Sequence, residues 1–151
     1  MLKIALGEDV FVNYINNSDL YIDKSLFIKD IIDSQSKISL ITRPRRFGKT
    51  LNMTMLQAYF KKTDKDYAPL FHNLKIWQQG ENYTSKQGKY PVIFITLKDM
   101  FSHAIKTNAS LGKAILTGLT KIAEKSLFSK LNHFISYNVL EKEFNYENFK
   151  L

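Results

Sequence analysis

The chain has 151 residues, 44% of them hydrophobic and 24% charged, the balance of one folded domain rather than a linker or a disordered tail. It contains no cysteine, which excludes a disulfide framework, a thiolate-ligated metal centre and a cysteine nucleophile, and makes the cytoplasm the expected compartment. Twenty-two basic against 14 acidic residues leave a net charge of +8, which points to an anionic partner.

The first residues, Met1 to Asp9, meet acid too early to form the apolar core of a signal peptide. No apolar run approaches the ~20 residues of a membrane-crossing helix, so no membrane partner is expected. From Ser25 to Ser34, Leu26, Phe27, Ile28, Ile31 and Ile32 fall close to helical spacing, with Asp23 placed as an N-cap. Lys37 to Thr42 is β-branched and reads as a strand. A basic loop, Arg43 to Gly48, leads into a helix over Lys49 to Lys61 that carries Leu51, Met55, Leu56, Tyr59 and Phe60 on one face. Thr63 to Lys89 reads as a connector anchored by Phe71, Leu74, Ile76 and Trp77. Pro91 to Leu97 is apolar on both faces and predicts a buried strand. Ser110 is placed to cap an amphipathic helix running through Leu111, Ile115, Leu119, Ile122 and Leu127. The pattern weakens after Phe134.

The charge is unevenly spread. All three arginines lie at Arg43, Arg45 and Arg46, and the stretch from Ser34 to Thr63 has seven basic residues and no acid. The segment Thr42-Arg43-Pro44-Arg45-Arg46-Phe47-Gly48-Lys49-Thr50, set between strand and helix, matches the end of a phosphate-binding loop. Such a loop points backbone N–H groups at phosphate oxygens in front of a helix N-terminus. Gly48 lets the backbone approach phosphate, Lys49 reaches the β- and γ-phosphates, and the Thr50 hydroxyl is placed to hold magnesium. Arg43 stands where the usual pattern has its first glycine, so with Pro44 the chain must enter the loop differently. Arg45 and Arg46 either neutralise charge developing on the γ-phosphate or only position it.

Three segments together carry a family resemblance: Tyr21-Ile22-Asp23-Lys24-Ser25, Leu40 to Met53, and Lys89-Tyr90-Pro91-Val92-Ile93-Phe94 with Lys98-Asp99. They resemble the bacterial AAA-ATPase-like family, in which a P-loop domain is often followed by a domain similar to PD-(D/E)XK nucleases. The resemblance spans nearly the whole chain, and it makes Arg43 typical rather than aberrant. It implies an α/β fold, a P-loop NTPase three-layer sandwich, of which residues 1–151 form the N-terminal portion. ATP and magnesium would be held by Arg43, Pro44, Arg45, Arg46, Phe47, Gly48, Lys49 and Thr50, with Lys49, Arg45 and Arg46 as the catalytic candidates.

The family's Walker B strand, similar to Ile-Asp-Glu-Tyr-Asp, falls further downstream, and Asp99 beyond Lys98 does not replace it. The expected domain is therefore partial, truncated before Walker B, binding ATP with little hydrolysis. With only two strands counted, the sheet would carry a gap. Two alternatives stand beside this reading: a non-catalytic truncated remnant, and a basic nucleic-acid-binding module. For the second, Phe27, Phe60, Phe94 and Phe128 on expected core faces argue against base stacking. Tyr21 and Asp23 are either near the nucleotide's base or ribose, or a packing aromatic and a helix cap. His72, His103 and His133 lack metal-ligand spacing.

Overall fold

The computed structural model describes residues 2–44, 46–94, 112–118 and 134–137. The chain is α/β, and it divides into two compact units. The larger takes in residues 1–33, 47–94 and 145–151; the second takes in 34–46 and 95–144.

The described part of the second unit is a parallel sheet of β1 (Ile38–Thr42), β2 (Ala114–Gly118) and β3 (Phe134–Tyr137), in the order β2-β1-β3. Ile38 pairs with Ala114 on one side and Phe134 on the other. All five β1 residues are buried, the condition that favours a continuous β-branched and apolar run over an alternating one. Side chains lock the register: Thr117 Oγ1 donates to the Ile41 carbonyl at 3.0 Å, and Lys113 Nζ donates to the Ser34 carbonyl at 2.7 Å. At the entry to β1, Ser36 Oγ donates to Ile38 O at 2.6 Å.

This sheet corrects two expectations. Ala114–Gly118, read as helix, is strand β2; the rest of the predicted helix, from Ser110 to Leu127, lies outside the described residues apart from Gly112 and Lys113. The expected gap is also absent beside β1, which is hydrogen-bonded to a neighbour on both edges.

The helical unit holds α1 (Phe11–Asn17), α2 (Leu26–Asp33), α3 (Lys49–Phe60) and the single turn α4 (Glu81–Thr84), with 3-10 turns at Ala68–Leu70 and Trp77–Gln79. Its core joins Phe11, Phe27, Ile28, Ile31, Met55, Leu56, Tyr59, Phe71 and Ile76. The Phe71 ring stacks on Phe11 at 5.2 Å and meets Tyr59 edge-on at 5.0 Å, so the connector is pinned by an aromatic cluster. Thr54, inside α3, accepts the Phe11 N–H at 3.0 Å and donates to Asp9 O at 2.9 Å, which fixes the start of α1 against α3.

The predicted strand at Pro91 to Leu97 is not found over its described residues. Pro91–Phe94 has no strand structure, Ile93 is 77% exposed and Phe94 is exposed rather than in the core. The pairing falls just before the proline. Gly88 N donates to Tyr59 O, Tyr90 N to Phe60 O and Lys62 N to Tyr90 O, an isolated parallel bridge between Lys61 and Tyr90. Pro91 has no N–H to extend it.

Candidate functional site

The basic loop leaves the C-terminal end of the central strand β1, where ligands gather in open parallel α/β sheets. Arg43 to Arg46 belong to the sheet unit, and Phe47 to Thr50 begin the second segment of the helical one. In the sheet unit, Arg43 is buried, with Nη1 donating to the carbonyl of Thr42 at 2.7 Å. Pro44 is exposed, Arg45 lies outside the described residues, and Arg46 is exposed with φ 65°. An arginine in the left-handed region carries backbone strain of about 1–2 kcal/mol, a feature that concentrates at ligand clamps. Sequence reasoning located the bend at this loop, though not at Arg46.

In the helical unit, Gly48 has φ 68° and ψ 18° and acts as the N-cap of α3 without a side chain to cap it. The left-handed turn is what glycine adopts freely. The first hydrogen bond of the helix runs from Asn52 N to Gly48 O at 2.9 Å, and the first turn holds no acid. Lys49 and Thr50 are its first two residues, Lys49 half-buried and Thr50 exposed. The N-terminal N–H groups of a helix lack intrahelical acceptors and carry the positive end of its dipole. Gly48, Lys49 and Thr50 thus share one positive helix end.

The segment Tyr21 to Ser25 has a different place. Asp23 is not the N-cap of α2: its Oδ1 accepts from Ser25 N at 2.8 Å and its Oδ2 from Lys75 N at 2.7 Å. Fully buried Ser25 accepts the Ile76 N–H on its Oγ at 3.0 Å. The segment before α2 is therefore clasped to the connector through two hydrogen bonds, and the third, from Ser25 N to Asp23, holds the segment's own turn. Tyr21 and Asp23 also line a 430 Å³ open cavity with Ile15, Pro69 and Leu74. The Tyr21 hydroxyl sits 3.4 Å from Met55 Sδ. Its pKa is raised, first by burial and then by the negative charge of Asp23. Buried Lys24 has its ammonium pKa pushed down by desolvation. Nothing in the local pattern around Lys24 signals this burial.

His72 packs its ring 4.6 Å from Trp77, and His103, His133 and Asp99 lie outside the described residues. Among the described residues no three His, Asp or Glu side chains group as a metal set. No described helix is long and apolar enough to cross a membrane.

The described residues thus combine, in an α/β chain, a buried parallel strand, an arginine with left-handed backbone and a helix start without a side-chain cap. The predicted AAA-ATPase family model matches residues 5–107, and the chain belongs to this AAA-ATPase-like family. No curated protein and no solved structure matches it.

Proposed function

We propose that the chain binds ATP with its magnesium at the loop Arg43 to Thr50, a P-loop variant, and turns it over slowly. One observation carries this: α3 begins at left-handed Gly48 without a side-chain cap, directly after a loop of arginines. An anion at the start of α3 meets backbone N–H groups and the helix dipole beside Lys49, and Arg45 and Arg46 precede them in sequence. Lys49, at the first helical position, reaches the terminal phosphates as a point charge. Buried Arg43, tied to Thr42 O, braces the end of β1 and so fixes where the loop starts.

Magnesium fits the residues present as an ion carried in by the nucleotide. Exposed Thr50 supplies one hydroxyl, and phosphates and water complete a shell that this ion seldom takes wholly from protein. When bound, the ion neutralises phosphate charge. Efficient hydrolysis needs a carboxylate at a strand end to hold the ion's shell and order water. None of the three described strands contains an acid, which is why we propose binding ahead of turnover within a P-loop fold.

Calorimetric titration of the folded chain with Mg-ATP, beside Lys49→Ala, tests the reading. Saturable binding that the variant loses at least tenfold supports it. A folded wild-type chain that takes up no Mg-ATP refutes it and leaves a non-binding remnant.

A further inference from the structure

The bridge between Lys61 and Tyr90 assembles a surface that neither segment shows alone. Three backbone hydrogen bonds lay residues 88–90 along residues 59–62 at the C-terminal end of α3. This brings the backbone of Lys89 and Tyr90 beside that of Lys61 and Lys62; all three lysines are exposed and Tyr90 is 43% exposed. Among the described residues, no acid pairs with any of the three lysines. The sequence has no acid from Ser34 to Thr63 and none from Asn82 to Phe94. The nearest in the chain are Asp64 and Asp66, and Asp66 is turned onto the N–H of Ala68. Neighbouring Lys86 is turned away as well, its Nζ on the carbonyl of Asn82 at 2.9 Å.

Lysines beyond a helix C-terminus complement its dipole, which accounts for Lys61 and Lys62. It does not account for Lys89, which the bridge brings in from a separate segment against like charge. Nor does it account for the exposed aromatic residue that the same bridge pairs with Lys61. Tyr90 touches Phe60 edge-on at 5.8 Å, and Phe60 in turn meets Tyr59 at 5.2 Å, so the ring is seated on the core while remaining open to solvent. An exposed ring held against Phe60, on a corner that carries three lysines, fits one partner chemistry. Phosphates along a chain meet the lysines, and a base stacks on the ring.

We infer that the corner formed by Lys61, Lys62, Lys89 and Tyr90 binds single-stranded nucleic acid. The partner has spaced phosphates and unpaired bases. A duplex offers the phosphates without the stacking surface, and an anionic membrane offers neither bases nor a fixed spacing. The surface lies at the opposite end of α3 from Gly48 and Lys49. It does not depend on the nucleotide reading.

The test is fluorescence anisotropy of the full chain with a labelled thymidine oligomer of roughly 20 nucleotides, at several salt concentrations from about 50 mM upward. The triple variant Lys61→Ala/Lys62→Ala/Lys89→Ala is expected to lose affinity at least tenfold. Its log–log salt slope is expected to be shallower by about 2, near 0.7 for each phosphate contact removed. Tyr90→Ala is expected to weaken the single strand several-fold and leave a duplex of the same length unchanged. All four positions are exposed, so circular dichroism of each variant is expected to overlay wild type, and Mg-ATP titration of the triple variant is expected to be unchanged. A triple variant that binds the oligomer like wild type overturns the inference. So does a wild-type chain that ignores the oligomer, including one that binds only vesicles containing phosphatidylserine.

Discussion

Replacing Asp23 by alanine separates a structural clasp from a ligand site in the Tyr21 to Ser25 segment. The substitution removes two hydrogen bonds, at 2.8 Å to Ser25 N and 2.7 Å to Lys75 N, both made by a carboxylate. Bonds to a charged group contribute about 1.5–3 kcal/mol each, and partial solvent exposure of Asp23 brings each nearer the low end. The loss is therefore about 2–3 kcal/mol. For a chain of this size each kcal/mol moves the melting temperature by about 2–4 °C, so a fall of about 4–12 °C is expected by thermal circular dichroism. Ser25→Ala strands the Ile76 N–H in a fully buried position and costs about 1–3 kcal/mol. Because both side chains hold the same stretch of connector, the double variant should lose less than the sum, by about 0.5 kcal/mol or more. If Asp23→Ala melts with wild type but binds Mg-ATP more weakly, the clasp is wrong and the carboxylate serves the ligand.

The two left-handed residues of the loop should respond in opposite directions. Gly48→Ala meets no atom within 4 Å of the new Cβ, so its cost is purely conformational, about 1 kcal/mol in a urea midpoint. Arg46→Gly removes comparable strain and should raise stability by up to about 1 kcal/mol while weakening Mg-ATP binding through the lost charge. Lys24→Met should raise the melting temperature at neutral pH, since it replaces a buried ammonium with an apolar chain of similar length. The same burial sets a pH dependence. The folded pKa of Lys24 lies below the unfolded 10.5, so the unfolded chain binds more protons in that window and stability rises with pH towards 10.5. Burial pushes Tyr59 up to about 12 from 10.0, and there the unfolded chain releases its proton first, so stability falls between those values. Comparing Lys24→Met with wild type across pH 8 to 11 isolates the rising component, which the variant should lack.

The parts legible in the sequence are those whose cause is local. β1 and α3 were marked by β-branched residues on one side of a basic loop and an uninterrupted helical pattern on the other, and they lie at Ile38–Thr42 and Lys49–Phe60. The anchors Phe71, Leu74, Ile76 and Trp77 are visible as apolar residues in a polar stretch; the first three are buried and Trp77 is half-buried. Helix α1 was missed because it buries only Phe11 in a polar sequence, although Phe11, Tyr14 and Ile15 have helical spacing. Ala114–Gly118 fits either period over so short a run, and pairing with β1 decides for strand. The apolar run after Pro91 misled because hydrophobicity alone does not make a strand. A backbone partner must be in reach, and the pairing that forms stops at Tyr90.

The same distinction explains why the candidate phosphate site was easier to read than its setting. Its residues form one unbroken stretch from Arg43 to Thr50, and a helix start needs only its own N–H groups to attract an anion. The strand that feeds the loop is held in place from afar: Thr117 secures Ile41 across 76 residues, and β3 closes the other edge. Composition announces a surplus of charge but not where it is concentrated. The nineteen lysines look scattered along the chain, yet the Lys61–Tyr90 bridge puts three of them beside one exposed ring. A cluster made by a non-local pairing has no sequence signature, because the residues that compose it are spaced by the fold and not by any period. Weakening that bridge should therefore disperse the charge without altering it. Gly88→Pro removes the N–H given to Tyr59 O and cannot adopt the φ of 67° found there, and it should lower oligomer affinity with the three lysines and Tyr90 unchanged.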